Sequence, residues 1–309
     1  MATLRQLEYF IAIADEGSFT RAAAGLNITQ PGLSHQFQAL EKEVGGRLVE
    51  RLPRGVRLTA AGRAMLPLAR AAIADARRAM TAARRATGLA SGDLQLATLY
   101  SISYGVLPKV LAAWRARHPD MRITLFEYQH MNDLAEAMSE GQADIAIGPP
   151  PAAWQGTVRY LGAEEFIVVA SDDDRLVAEV SGSSVRLADL ADREWVHFTP
   201  RSGLADVLDQ ACTASGFRPR VAVRTQQAPF AANFAASGMG LSLVPGSNIP
   251  GDFTGRLFRP DPPIRRTLTA YTHSSPDSVT GAFLDLVAEE CELTPAHVRA
   301  RIGGTDQPA

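Results

Sequence analysis

Apolar positions between residues 28 and 45 recur with the period of an α-helix that buries a single face. At about 100° of rotation per residue, Leu33, Phe37, Leu40 and Val44 fall within one narrow arc. A threonine is placed to cap this predicted helix, and its first turn contains a proline, whose missing N–H costs nothing there. The opposite side is small, polar and mostly uncharged, and it consists of Pro31, Ser34, His35, Gln38 and Lys42.

Two further helices are predicted before this one. Leu4, Leu7, Ile11 and Ala14 follow the helical period and predict a first helix that ends near residue 17. Ser18 can then cap a short alanine-rich helix that ends at residue 25. The first 45 residues therefore predict three consecutive helices.

A basic β-hairpin is predicted directly after the third helix. Two short strand-like runs, 47–51 and 56–59, flank a turn that contains Pro53 and Gly55. Four arginines lie in or beside these runs, where guanidinium groups could contact a sugar–phosphate backbone while the third helix reads base edges. The third helix alone fits an ordinary surface helix equally well, but the hairpin favours a winged helix-turn-helix over residues 1–58. The four arginines are Arg47, Arg51, Arg54 and Arg57.

The pattern from residue 59 to about residue 87 predicts one long helix. At ~1.5 Å per residue it would span about 40 Å, too far for a three-helix domain to cover, so we expect it to pair with its own copy. We assign residues 59–92 to this dimerisation helix and a hinge, and we expect an approximately palindromic DNA site. Pro67 should kink the helix. The apolar seam consists of Met65, Leu68, Ala72, Ile73, Ala76, Met80 and Ala83.

The remaining sequence alternates strand-like and helical runs. Strands near 94–100, 121–128 and 143–148 are separated by helical segments, which predicts a parallel βαβαβ unit. The order recurs over 194–245, so we predict an α/β domain at 93–301 with two lobes and a cleft between them. We expect the chain to change lobes at the proline-rich run 148–153 and to return at 265–273. The predicted ranges are about 93–162 and 266–301 for the first lobe, about 163–265 for the second lobe, and 302–309 for a flexible tail.

Ligands of open α/β sheets bind where the carboxyl ends of strands meet helix amino termini. Several of the residues selected by this rule have alternative roles. Ser101 and Ser202 can simply cap helices, and His130 can be an exposed loop histidine. Arg201 can pair either with a carboxylate ligand or with Asp206. The candidate ligand contacts are Ser101, Ile102, Ser103, Gln129, His130, Met131, Thr199, Arg201, Ser202 and Gln226.

The charge is unevenly distributed along the 309 residues, whose formal net charge is −2. Residues 1–91 carry 13 Lys and Arg against 7 Asp and Glu, whereas the rest carry 18 against 26. A basic amino-terminal part favours nucleic acid as its partner. Cys212 and Cys291 lack metal-ligand spacing and are expected to be small buried hydrophobes. We find no apolar run long enough for a membrane span and no apolar signal peptide, and we expect a cytoplasmic protein.

Residues 3–62 closely resemble the amino-terminal domain of LysR-type transcriptional regulators, and the layout of the rest is similar. The resemblance implies an α/β fold overall, made of an all-α-type winged helix-turn-helix, a long linker helix and a two-lobed α/β effector domain. It places Ser101, Thr199 and Ser202 at positions that match effector contacts of the family. One difference is Val49, where the family usually has Phe. The implied candidate DNA contacts are Ser18, Thr20, Thr29, Gln30, Pro31, Ser34, His35, Gln38, Arg51 and Arg54.

The same resemblance implies double-stranded DNA and a small-molecule effector as partners, with neither a cofactor nor a metal ion. A carboxylate is favoured as the effector because helix ends and Arg201 could receive it. Self-association is expected as a homodimer and then as a dimer of dimers, and RNA polymerase is a further candidate partner. The rival interpretation is a solute-binding or hydrolytic α/β module fused to a helical domain. We find no GxSxG, HExxH or glycine-rich phosphate loop, so an enzyme is disfavoured.

Overall fold

A computed structural model describes residues 2–52, 55–86, 93–152, 154–175, 180 and 182–303. The chain forms two compact units, one comprising residues 1–92 with 136–142 and the other comprising 93–135 with 143–309. The elements of the first part of the chain are α1 (Leu4–Glu16), α2 (Phe19–Gly25), α3 (Gln30–Val44), β1 (Val49–Leu52), β2 (Gly55–Leu58) and α4 (Ala60–Ala86).

The elements that follow alternate as predicted from the sequence, and two short 3₁₀ turns lie at Leu187–Leu190 and Gly246–Asn248. The α/β fold class is confirmed. The elements are β3 (Asp93–Leu99), α5 (Tyr100–Gly105), α6 (Leu107–Arg117), β4 (Arg122–Tyr128), α7 (Met131–Ser139), β5 (Ile145–Gly148), β6 (Val158–Ala170), β7 (Ser184–Val185), β8 (Glu194–Phe198), α8 (Gly203–Ala214), β9 (Arg220–Thr225), α9 (Ala228–Ala236), β10 (Ser242–Pro245), β11 (Arg256–Pro260), β12 (Arg265–Tyr271), α10 (Ser278–Glu290) and α11 (Ala296–Arg301).

Helix α3 packs into the first unit through three of the four predicted inward residues. Leu33, Phe37 and Leu40 are at most 1% exposed, and the ring of Phe37 meets that of Phe19 edge-on, with centroids 5.5 Å apart. Thr29 caps the helix by accepting a hydrogen bond from a backbone amide. The prediction for Val44 was wrong: its side chain is 45% exposed because the helix ends at this residue, before the chain turns away.

The predicted hairpin forms as an antiparallel pair of β1 and β2, with Val49 opposite Leu58. Val49 is buried in the core of the first unit, so its difference from the family residue concerns packing. The long helix α4 begins after Thr59, whose Oγ1 accepts from the Gly62 amide at 3.1 Å and donates to the Arg47 carbonyl at 2.7 Å. Helix α4 lies close to the residue before β1 here, and Gly62 permits this because a Cβ at that position would lie 2.1 Å from the Leu48 carbonyl oxygen.

The predicted seam of α4 is only partly covered within one chain. Ile73 is buried, whereas Leu68 is 72% exposed and Met80 is 60% exposed. Pro67 lies inside the helix, as the sequence indicated. Large apolar side chains exposed on one long helix leave area that a second surface could bury.

The second unit contains the predicted parallel unit in its main sheet. Strand β3 lies between β4 and β5 and is parallel to both, which confirms the first βαβαβ prediction. The full eight-stranded sheet runs β4-β3-β5-β12-β6-β11-β7, with β10 also paired to β6. Strands β8 and β9 form a separate parallel pair.

The chain passes between the two lobes inside strand β6, and not at the proline-rich run 148–153. Residues up to Glu165 pair with β12, whereas Phe166 onwards pair with β10 and β11. The proline-rich run breaks regular structure, but β6 then returns to the first-lobe sheet before it crosses. Strand β12 pairs with β5 and with the first part of β6.

The final helix also differs from the expected lobe assignment. Val298 and Ile302 are buried among second-lobe core residues, so α11 packs on the second lobe although its residues were assigned to the first lobe. Ile302 is therefore not part of a flexible tail, while residues 304–309 of that predicted tail lie outside the described residues. Within the described ranges, no helix is both long and apolar enough to cross a bilayer.

Candidate functional site

Eight of the ten candidate DNA-contacting residues lie on α2, on α3 and on the residues that cap them, and the other two are Arg51 on β1 and Arg54. Ser18 and Thr29 each cap the helix that follows, through their side-chain oxygens. Gln30 and Ser34 are half-buried. The other candidates on these helices remain open to solvent, and they are Thr20, Pro31, His35 and Gln38.

Arg51 on β1, a candidate DNA contact, and Arg57 on β2 have different partners. Arg57 donates from Nη2 to Glu50 Oε2 at 2.7 Å, and this hydrogen bond and the charge of Arg57 lower the pKa of the Glu50 carboxyl. Arg51 instead donates from Nη2 to Ser34 Oγ at 3.0 Å, so it contacts α3. Sequence spacing gave no signal for this contact. Arg54 lies outside the described residues.

The hairpin is also fixed to the first unit on its other strand. The Val56 amide donates to the Gly17 carbonyl at 3.0 Å. A Cβ on Gly55, whose φ is +139°, would lie 2.7 Å from that same carbonyl oxygen, so only glycine fits this close approach. The hairpin β1–β2 is the wing of the winged helix-turn-helix. Both of its strands are therefore attached to the helical part of the first unit.

A cavity of about 260 Å³ in the second unit brings five of the predicted ligand contacts together. The first lobe contributes residues that follow β3 and β4, and the second lobe contributes residues that follow β8 and β9. This arrangement is the one expected where carboxyl ends of strands meet helix amino termini. The five predicted residues in its lining are Ser101, Ser103, Gln129, Ser202 and Gln226.

A second compartment of about 400 Å³ adjoins the first and contains His130 and Met131 in its lining. His130 Nδ1 accepts from the Asn132 amide at 3.0 Å, so Nε2 carries the proton and donates to Asp206 Oδ2 at 2.9 Å. His130 therefore links the two lobes. Asp206, one of the two partners considered for Arg201, is held by this histidine.

Backbone contact also joins the lobes at the boundary between the two compartments. The Gly203 amide at the start of α8 donates to the Gln129 carbonyl at 3.0 Å. Ser202 Oγ accepts from the next amide, that of Leu204, at 3.3 Å. The first amides of α8 are thus already satisfied by groups of the protein, which would compete with a ligand for them.

Three predicted contacts are placed differently from the other seven. Ile102 is fully buried, so its side chain belongs to the core of the first lobe and not to a cavity wall. Thr199 shapes the loop before α8, since its carbonyl accepts from the Ser202 amide at 2.9 Å. Arg201 is exposed, and neither described compartment includes it or Thr199 in its lining.

Sequence reasoning missed a buried ion pair beside the cleft. Arg266 of β12 donates from Nη2 to Glu164 Oε2 at 2.5 Å and approaches Ser101 Oγ at 3.4 Å. The Glu164 side chain is fully buried and also accepts from Ser247 Oγ at 3.1 Å. Arg266 lines both compartments. A signal was available, because the run GAEEFIVVA places two acids directly before five apolar residues.

Both cysteines should resist thiol reagents in the folded protein. Burial raises the pKa of the Cys212 thiol to about 12, and the carboxylate of Asp209 adds to the shift. Burial, with the charge of Glu164, raises the pKa of Cys291 to about 11. At about pH 8 both are almost fully protonated, and the thiol form is not the nucleophile. We expect mass spectrometry to detect little iodoacetamide labelling until denaturant is added, and rapid native labelling would contradict this.

A winged helix-turn-helix whose polar helix face is exposed, together with a two-lobed α/β domain around a cleft, defines a ligand-responsive DNA-binding regulator as the class of protein. The bacterial regulatory helix-turn-helix model of the lysR family matches residues 4–63, and the LysR substrate binding domain model matches residues 87–292. The chain therefore belongs to the LysR family of transcriptional regulators.

Individual relatives agree with this assignment. The chain is 31% identical over 246 residues to the HTH-type transcriptional regulator AlsR of Bacillus subtilis, and the alignment covers 79% of this chain and 80% of that protein. It is 29% identical over 246 residues to the HTH-type transcriptional regulator BenM of Acinetobacter baylyi, and this alignment also covers 79% of this chain and 80% of that protein. A solved structure of full-length CbnR in complex with its target DNA is 25% identical, with a TM-score of 0.61, and covers 97% of this chain and 99% of that one.

Proposed function

We propose that this regulator reads its DNA site with the outward face of α3 and with the hairpin β1–β2. The observation that carries this proposal is the exposed polar face of α3, whose opposite face is locked into the core by Leu33, Phe37 and Leu40. Short hydroxyl, imidazole and amide side chains can reach base edges in a major groove, which admits one α-helix. The proposed base-reading and backbone contacts are those predicted from the sequence, with Arg54 among them.

The regulator acts as a homodimer joined through α4, and two dimers form the tetramer. Support comes from Leu68 and Met80, which are large, apolar and exposed on that helix. A symmetric dimer presents two copies of α3, so its DNA site has approximate dyad symmetry. Because its target is chromosomal DNA, the protein works in the cytoplasm, where RNA polymerase is a candidate partner.

The effector is a small molecule, with a carboxylate favoured, that binds in the cleft of the second unit. Support comes from the hydroxyls of Ser101 and Ser202, from the amino terminus of α8 and from the guanidinium of Arg266, all at the 260 Å³ cavity. A carboxylate at the amide of Gly203 would displace the Gln129 carbonyl and alter the contact between the lobes. Effector binding thereby shifts lobe closure, dimer arrangement, and the spacing or bend of bound DNA.

The protein is a regulator without catalytic activity of its own. Its two compartments contain hydroxyl, amide and imidazole groups, but His130 is engaged by Asp206 and Asn132 and is not positioned as a base for a serine. A hydrolytic or solute-binding module fused to a helical domain is the rival interpretation. It predicts turnover or ligand binding without sequence-selective DNA binding.

Selection from randomised duplexes with the full-length protein tests the DNA-reading function. We expect a dyad-symmetric site whose affinity falls steeply with salt.

Thermal shifts with a panel of short mono- and dicarboxylates test the cleft. Ser101→Ala should reduce the thermal shift caused by any stabilising acid. The affinity for the selected DNA should stay within about twofold, because Ser101 belongs to the second unit whereas α3 belongs to the first, and removal of the hydroxyl keeps the backbone hydrogen bonds of residue 101. A wild-type protein that enriches no sequence would refute the DNA-reading proposal.

A further inference from the structure

Arg51 connects three elements of the first unit although it lies on one strand of the wing. Its Nη2 is 3.0 Å from Ser34 Oγ on α3, and the carbon of its guanidinium lies 4.8 Å from the ring centroid of Phe19 on α2. Phe19 is only 8% exposed, so the ring is a fixed platform. A guanidinium that stacks on an aromatic ring while it donates a hydrogen bond is held in one orientation.

A neighbouring arginine on the same hairpin provides the contrast. Arg57 pairs with Glu50 on the adjacent strand, and both side chains are about half exposed or more. The ion-pair partner of Arg57 therefore lies on the same hairpin. The guanidinium of Arg51 is instead directed at the base-reading helix, which a residue serving only as a phosphate contact would not require.

The contact fixes the hydrogen-bonding role of the Ser34 hydroxyl. A serine hydroxyl has one O–H donor and two acceptor lone pairs, whereas arginine can only donate. Ser34 Oγ must therefore accept from Arg51, and a charged donor also makes the hydroxyl proton a better donor. Among the described residues, Arg51 is the one hydrogen-bond partner of the Ser34 side chain. The Ser34 hydroxyl proton therefore has no acceptor within the described part of the protein. A serine within a helix commonly donates to the carbonyl four residues earlier, and Ser34 does not.

The geometry points to Arg51 as a positioning residue that presents Ser34 to the major groove as a hydrogen-bond donor. The base edge that Ser34 reads is then an acceptor, which in the major groove means a purine N7, a guanine O6 or a thymine O4. Cytosine, which offers an N4 donor there, is disfavoured on the contacted strand. This inference rests on the proposed docking of α3 in the major groove.

Selection from randomised duplexes distinguishes positioning from a simple phosphate contact. The full-length wild type is compared with Ser34→Ala, Arg51→Ala, Arg51→Lys and the double variant Ser34→Ala with Arg51→Ala. We expect the first two variants to lose preference at the same base pair, by roughly tenfold, and the double variant to lose no more than either one. Arg51→Lys should keep the salt dependence of the wild type but not its base preference, because an ammonium has no planar fork.

Arg57→Ala serves as the matched control, since it removes an arginine of the same hairpin whose side chain donates to Glu50 and, among the described residues, makes no hydrogen bond to α3. It should keep the base preference of the wild type. Circular dichroism of each variant checks that the helices remain folded. Because Arg51→Lys retains the charge, it separates positioning from electrostatics even if Arg51→Ala is poorly folded.

Base analogues then test the predicted acceptor directly. At the base pair identified above, the contacted base is replaced by 7-deazaadenine, 7-deazaguanine, a guanine analogue without O6 or a thymine analogue without O4. We expect the wild type to lose roughly tenfold in affinity for one of them and Ser34→Ala to lose nothing. The inference is overturned if Arg51→Ala weakens selected and random DNA by one common factor with unchanged base preference, or if the contacted base is cytosine. Failure of the wild type to select any sequence would instead remove the DNA-reading proposal itself.

Discussion

Phe37→Ala will destabilise the amino-terminal unit by about 3–5 kcal/mol and abolish sequence-selective DNA binding. Phe37 is 1% exposed, and its ring packs against Phe19 and Phe10, with centroids 5.5 and 6.2 Å away. Truncation removes the aromatic contacts and leaves a cavity between all three helices. Since this ring holds α3 inward, its loss frees the recognition helix before any DNA-contacting atom has been changed.

Hydrogen exchange of the α2 and α3 amides, read by mass spectrometry, measures this loss without interference from the second unit. Gln36→Ala is the control, because its side chain is exposed on the same helix and makes one long contact of 3.5 Å to Gln6. We expect that control to stay within about 0.5 kcal/mol of the wild type. Unchanged exchange in Phe37→Ala would show that the core of the first unit does not depend on this ring.

Arg266→Met will destabilise the second unit by about 3–5 kcal/mol, because it leaves a fully buried carboxylate without its charged partner. Glu164 is 0% exposed, and the Arg266 side chain is only 12% exposed. The surviving hydrogen bond from Ser247 does not replace a guanidinium. Adding Glu164→Gln to Arg266→Met should restore most of the loss, since an amide is neutral and can still accept from Ser247.

Urea unfolding followed by tryptophan fluorescence reports this effect selectively. The three tryptophans of the chain are Trp114, Trp154 and Trp195, all in the second unit. Arg159→Met is the matched control, because Arg159 pairs with Asp285 at 2.5 Å but both side chains are at least 40% exposed. That control should cost about 1 kcal/mol at most. Equal losses in Arg266→Met and Arg159→Met would mean that burial of Glu164 contributes little.

The local order of the elements was predictable because it depends on neighbouring residues. The period of Leu33, Phe37 and Leu40 identifies the buried side of α3, and Thr29 marks its start. The two βαβαβ patterns identify strands that must be parallel, and the carboxyl ends of parallel strands meet at one edge. Five of the ten predicted cleft residues consequently line one cavity without any knowledge of distant contacts.

Contacts between residues far apart in the chain were not predictable from periodicity. The pairing of Arg51 with Ser34 depends on how the hairpin folds over α3, and the pairing of Arg266 with Glu164 spans 102 positions and depends on strand register. The proline-rich run at 148–153 indicated a break in regular structure but carried no information about which strand would follow it.

The sequence by itself determined the class of fold, the inward face of the recognition helix and the approximate edge of the ligand cleft, because hydrophobic periodicity and capping act over a few residues. Only the tertiary structure decided which partner each charged group meets: His130 and not Arg201 for Asp206, Ser34 for Arg51, and Glu164 for Arg266. The physical reason is that a hydrogen bond requires about 3 Å between atoms, and that distance is set by strand register and lobe packing.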